Sequence, residues 1–185
     1  MTRLTAACRC GKVVFEAADA PIVTVSCYCT SCQQAGHAFE KMPSAPAVLD
    51  ADGGTPVLLC RKDRVRCIHG REYLVERRLN ANSPTRRVFA TCCNSAMFAD
   101  FTKGHWLSLY RNRFGSGAPP VEMRVMTGER PGGAILSQDV PNYPGRPAGL
   151  MWKLIAAWAA MGFRRPDMGL AHIPRSDFDG NSFSA

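Results

Sequence analysis

Cys27-Tyr28-Cys29-Thr30-Ser31-Cys32 places three thiols in a C-x-C-x-x-C cluster that repeats no simple periodic pattern. Three clustered soft donors point to a metal, zinc first. A zinc site that does chemistry keeps three protein ligands and leaves the fourth position to water or substrate, whereas a structural site closes all four. The cluster is therefore an open catalytic site, or a structural site whose fourth ligand comes from elsewhere in the chain. The run Ile22 to Val25, opened by Pro21, reads as a strand that delivers the cluster at its end.

Other thiols surround this cluster at a distance in sequence. Cys8-Arg9-Cys10-Gly11 reads as a turn leading into a strand over Val13 to Phe15, and side chains two apart point to one side, so Cys8 and Cys10 can share a metal. Together they supply half a tetrahedral site. Cys92 and Cys93 stand before an Asn94-Ser95 turn. Adjacent residues of a strand face opposite ways, so either both lie in a turn and ligate, or one ligates and the other packs. Cys60 and Cys67 stand singly in β-leaning runs and read as core residues.

The chain has 185 residues, 46% of them hydrophobic and 21% charged, enough for a packed domain and unlike a disordered chain. Nine cysteines is an odd count. Met1 to Ala7 has no apolar h-region, so the segment does not read as a secretory signal; the expected location is cytoplasmic, where close thiols hold metal more often than disulfides. The net charge of +8 comes mostly from arginines concentrated between Arg61 and Arg113 and favours anionic partners. Solubility explains it better than nucleic-acid binding, and a small anion such as a carboxylate-bearing thiol would also suit it.

Pro43 to Pro56 reads as a loop with at most a short edge strand near Val48. Pro56 to Arg61, Val65 to His69, Tyr73 to Leu79 and Arg87 to Thr91 are short β-leaning runs, the spacing of an antiparallel all-β domain. His105 to Phe114 and Val121 to Thr127 read as further strands around a Gly115 to Pro120 turn. The β domain is expected to span 1–127, followed over 128–185 by a Gly/Pro-rich linker, an apolar helix at about 148–162 and a polar tail. Met151, Leu154, Ile155, Trp158 and Met161 form the expected stripe of that helix, with Gly162 as its C-cap. A run of about 14 residues rises only about 21 Å, too little to span a bilayer. The helix is expected to bury itself against the β domain or a second copy, as in a homodimer.

With C-x-C-G at Cys8 to Gly11, C-x-C-x-x-C at Cys27 to Cys32 with Gly36 and Phe39 behind it, and a cysteine-bearing turn over Cys92 to Phe98, the chain resembles the glutathione-dependent formaldehyde-activating enzyme family (GFA), which also includes centromere protein V. The resemblance covers roughly residues 5 to 127. It implies a β-tent fold with two zinc ions: a structural one on Cys8 and Cys10 plus the later pair, and a catalytic one on Cys27, Cys29 and Cys32. The family writes its closing pair as C-x-x-C-G; aligning Ser95 and Met97 puts Cys93 at the second position and Ala90 at the first, so Cys92 has to substitute. The implied chemistry is that of a carbon-sulfur lyase joining glutathione and formaldehyde in S-hydroxymethylglutathione, or cleaving that adduct. His37, in what reads as a loop, is a weaker candidate for proton transfer or for capping the zinc. The rival reading is a non-catalytic zinc module that contacts a protein or nucleic acid through its arginines.

Overall fold

Val57, Leu58, Leu59 and Cys60 are consecutive and all buried, a pattern that is stable only in a strand covered on both faces. They lie at the centre of the fold. The computed structural model describes residues 3–130 and 135–166. Its ten strands are β1 (Arg3–Ala7), β2 (Val14–Ala18), β3 (Val23–Cys27), β4 (Thr55–Arg61), β5 (Val65–His69), β6 (Leu74–Arg77), β7 (Thr85–Ala90), β8 (Ser95–Phe101), β9 (Trp106–Tyr110) and β10 (Met123–Val125). Helices α1 (Thr30–Glu40) and α2 (Ala148–Ala159) complete the described regular structure, apart from short 3-10 turns.

The strands form a small sheet, β1-β2-β5, and a large one, β10-β3-β4-β9-β8-β7-β6. Large and small sheet pack face to face through Phe15, Leu58, Leu74, Phe98, Leu107 and Leu109, with Phe15 edge-on to Phe98 at 5.4 Å. The opposite face of the large sheet is covered by the two helices: Val25, Leu59 and Phe89 meet Phe39 of α1 and Leu150 and Leu154 of α2. A bulge keeps both cores filled. Val88 pairs with Phe98 but Phe89 pairs with Ala96, so Met97 is an extra residue on β8 and joins Phe98 in the inter-sheet core.

Several expectations need correcting. Residues 30–40 are helical, so His37 lies in α1 rather than in a loop, and it is exposed. Small residues hid the helix: its buried face is Gln33, Ala35, Gly36 and Phe39. Gly36 breaks the pattern because Leu49 packs on it; a Cβ there would lie 2.4 Å from Leu49 Cδ2. No strand forms at Val48, whose N–H instead donates to Glu40 Oε1 at 2.8 Å. β10 makes no hairpin with β9; it crosses to pair in parallel with β3. After it, the chain folds back along β10, with Tyr143 N–H donating to Arg124 O at 2.9 Å. The polar tail lies outside the described residues.

The buried residues of α2 are Leu150 and Leu154, with Met161 buried in the turn beyond its end, while Met151, Trp152 and Ile155 are exposed, as is Phe163 after the helix. Trp158 adds an aromatic clasp: its ring stacks on His105 at 5.6 Å and 5°. No helix among the described residues is long and apolar enough to cross a membrane. The arginines are largely engaged within the fold. Arg86 reaches the buried Asp100 at 2.8 Å, Arg61 reaches Asp63, Arg78 reaches Glu76, and Arg113 donates to Ala47 O.

Two outcomes follow from this packing. Phe98→Ala removes a fully buried ring from the inter-sheet core and should lower unfolding free energy by about 3–5 kcal/mol in urea titration. His105 is lowered below its ordinary value by burial and then by the charges of Lys62, Arg165 and Arg61, against the pull of the Leu154 backbone. The unfolded chain then binds the proton more readily, so stability is full above the ordinary histidine value of about 6.5 and falls as pH drops through it toward the folded value. Thermal unfolding between about pH 7.5 and about 5 should show this loss, and His105→Phe should flatten that part of the profile.

Candidate metal centre and cavity

The turn after β1 is fixed by its own backbone: Cys8 N–H donates to Val13 O at 2.9 Å, and Gly11 N–H donates to Cys8 O. Gly11 sits at φ +77, where a side chain is disfavoured. The turn between β7 and β8 carries Cys92 and Cys93, with Asn94 in the left-handed region. These two turns meet. Cys8, Cys10, Cys92 and Cys93 bring their sulfurs within 4.8 Å of one another. Both adjacent cysteines therefore point into one cluster, and Ala90 stays in the β7 ladder opposite Leu74.

Four thiolates around zinc at about 2.3 Å have edges of about 3.8 Å. The observed separations are 3.6 Å for Cys8 to Cys10, 3.8 Å for Cys8 to Cys92, 3.4 Å for Cys10 to Cys92 and 3.9 Å for Cys92 to Cys93. This donor set fits a closed tetrahedral site. A supporting shell is present: Arg9 N–H donates to Ser95 Oγ at 3.0 Å, and Ser95 Oγ lies 3.1 Å from Cys93 Sγ. Burial raises the Cys93 thiol, but the bond from Ser95 and those from Cys10 and Cys8 bring it down to about 6. Cys8, by contrast, is pushed up by burial.

Cys27, Cys29 and Cys32 form the second cluster, again within 4.8 Å of one another. Cys27 ends β3, Cys29 is the N-cap of α1 and Cys32 lies in its first turn. The start of α1 is held from two sides. Glu129 Oε2 accepts from Thr30 N–H at 2.8 Å and from Thr30 Oγ1 at 3.0 Å. Arg87 Nη2 donates to Ser31 O and Ser31 Oγ, each at 2.9 Å. Hydrogen bonds from Cys27 and then Cys32 draw Cys29 far below the usual thiol range, while Cys29 pushes Cys27 up. A thiolate is thus most stable at Cys29, beside a helix N-terminus that favours negative charge.

These three sulfurs open on a cavity of about 390 Å³. Strand parity explains its walls. Val25 and Cys27, Val57 and Leu59, Trp106 and Ser108, Ala99 and Phe101, and Thr85 and Arg87 are alternate residues that share one face of the large sheet. Across from them, Leu150, Met151 and Leu154 of α2 close the space. Arg87 is only 3% exposed, and its Nη1 is buried without a hydrogen-bond partner. Tyr110, beside it, is pushed up by burial.

The structure gathers the seven cysteines expected as ligands into these two clusters, each of which could hold a metal ion, with donors that suit zinc. His37 belongs to neither cluster, and Cys60 is buried in the inter-sheet core with Cys67 packed against it. Arg87, Glu129 and the α2 wall were missed. One signal for Arg87 exists: Arg86-Arg87 is a charged pair within a strand, so the two must face opposite sides. Arg86 takes the side of Asp100, which leaves Arg87 for the cavity.

A crystal structure of a Rhodobacter sphaeroides protein is similar to this chain at a TM-score of 0.45 and 15% identity, over 63% of this chain and 92% of that one. No curated protein matches the chain. A family model described as glutathione-dependent formaldehyde-activating enzyme matches residues 3–115, a span that holds both cysteine clusters and Arg87. The chain belongs to that family.

Proposed function

We propose that the chain is a zinc-dependent carbon-sulfur lyase that forms or cleaves an adduct of glutathione and an aldehyde, with S-hydroxymethylglutathione as the simplest product. The observation that carries this reading is the inequality of the two clusters. Four sulfurs close one site, whereas Cys27, Cys29 and Cys32 leave a fourth position facing a cavity. The closed cluster is structural in this reading and the three-cysteine cluster catalytic.

Zinc held by Cys27, Cys29 and Cys32 would supply a centre that lowers the pKa of an incoming thiol or polarises an aldehyde oxygen. The protein's own groups do the positioning. Arg87 and Glu129 fix Thr30 and Ser31 at the start of α1, so the three sulfurs hold their spacing. The apolar walls exclude water, which strengthens each polar contact inside. Formation joins the thiol sulfur to the aldehyde carbon, sends the carbonyl π pair to oxygen and moves one proton from sulfur to that oxygen; cleavage is the reverse. Arg87 Nη1 is a donor without a partner in the cavity wall and suits that oxygen.

The engagement of Arg61, Arg78 and Arg86 by carboxylates weakens the alternative of a binding module working through its arginines. Metal analysis should find about two zinc ions per chain. Glutathione and formaldehyde mixed with the protein should exchange with their adduct above the spontaneous rate in NMR. Cys29→Ser should reduce that acceleration at least about a hundredfold, since even supporting residues of metal sites are worth 10–100-fold. No acceleration by the zinc-loaded wild type, together with salt-sensitive nucleic-acid binding, would leave the binding module as the better reading. Cys8→Ser tests the closed site separately: it should remove one zinc and destabilise the fold by an amount comparable with a domain's whole stability, on the order of 5–15 kcal/mol.

A further inference from the structure

We propose that the cavity beside Cys27, Cys29 and Cys32 is built for a hydrocarbon body, so that the preferred adduct joins a thiol to an aldehyde bearing an aliphatic or aromatic side chain rather than to formaldehyde alone. The reacting group rests on the lyase reading above; the choice of substrate rests on the cavity. At about 390 Å³ the space lies within the range of sites that enclose whole ligands, and a one-carbon aldehyde would leave most of it empty. Its mouth is open beside the exposed Arg146 and Met151, so a ligand can reach it from solvent.

The walls select its chemistry. On the sheet side Val25, Val57, Leu59, Phe101 and Trp106 present carbon, and α2 adds Leu150, Met151 and Leu154. The tripeptide body of glutathione, with two carboxylates and an ammonium, would lose its hydration there without replacement. Its charges fit better near Arg146, which lines the cavity and is exposed. The apolar part of the adduct then fills the space under α2.

Among the buried polar groups of the wall, which include Thr55 Oγ1 and Tyr110, Arg87 carries the positive charge. Arg87 is anchored through Nη2 on Ser31, within the Cys29 to Cys32 loop, while Nη1 has no partner. A buried unpartnered donor is a defect unless a ligand oxygen completes it. The aldehyde oxygen, or the hydroxyl it becomes, is that acceptor. Addition needs no oxidant: the new carbon-sulfur bond replaces the carbonyl π bond, and the thiol proton ends on the oxygen.

The roof lies outside the family match. The family match ends at residue 115, and α2 begins at Ala148. Leu150 and Leu154 seat the helix, the Trp158 stack on His105 holds its far end, and Lys153 Nζ reaches Glu122 at 2.8 Å. A segment outside the matched span thus sets what the three cysteines can receive.

Calorimetric titration of the zinc-loaded protein with S-methylglutathione and S-hexylglutathione tests this directly. Each methylene buried is worth about fourfold in affinity, so the hexyl derivative should bind at least about tenfold more tightly. Met151→Glu, at a partly exposed position, should erase most of that difference while zinc content stays unchanged; Met151→Leu should keep it. Equal affinity for the two derivatives, or binding of neither, overturns the hydrocarbon site. In that event catalysed glutathione-formaldehyde exchange in the NMR assay would leave the lyase reading standing, and absence of exchange would remove both.

Discussion

The seven-stranded sheet has to bury both of its faces, and this constraint sets the rest of the architecture. A sheet with apolar residues at both parities of β4 cannot face water on either side. The small sheet solves one side with tight packing around Phe15 and Phe98. Two short helices solve the other incompletely, because a pair of helices covers a broad, twisted sheet only in part. What is left uncovered becomes the cavity. The site is thus the gap in a covering layer, and the cysteine cluster lies where α1 leaves the sheet.

Strand content was legible because β-leaning runs separated by turn residues reflect the pleat directly, and the cysteines were legible because metal spacing is local. What escaped was non-local or carried by small residues. α1 buries Ala35 and Gly36 instead of large side chains, so its periodicity is faint. β10 reads as the second arm of a hairpin by proximity in sequence, but its partner β3 lies about a hundred residues earlier, and no local signal encodes that choice. On α2 the stripe was displaced: Leu150 is buried, Met151 stands at the exposed edge of the cavity and Ile155 is exposed, since an apolar helix with one charge gives no polar face to orient it. The adjacent Cys92 and Cys93 posed a real ambiguity, resolved by a turn in which strand alternation no longer applies.

The two clusters lie on opposite sides of the large sheet. The closed one joins the end of β1 to the β7-β8 turn and so clamps the small sheet to the large one. Because that clamp lies on the inter-sheet side, ligand traffic at the other cluster need not strain it. Arg87 links strand to loop on the cavity side, and its neighbour Arg86 serves the buried Asp100 on the opposite side. A one-residue slip of β7 would exchange these two roles, which ties register to function at a single dipeptide.

The crossing of β10 to β3 also makes the two clusters depend on different lengths of chain. Glu129 closes on Thr30 across a separation of 99 residues, whereas Cys92 closes on Cys8 across 84. During synthesis the turns bearing the closed cluster can meet before the chain through Glu129 has emerged. Contacts of such long range are slow to form. The four-sulfur cluster thus needs no residue after Cys93, whereas the surroundings of Cys27 to Cys32 need Glu129 and α2, so different lengths of chain complete the two.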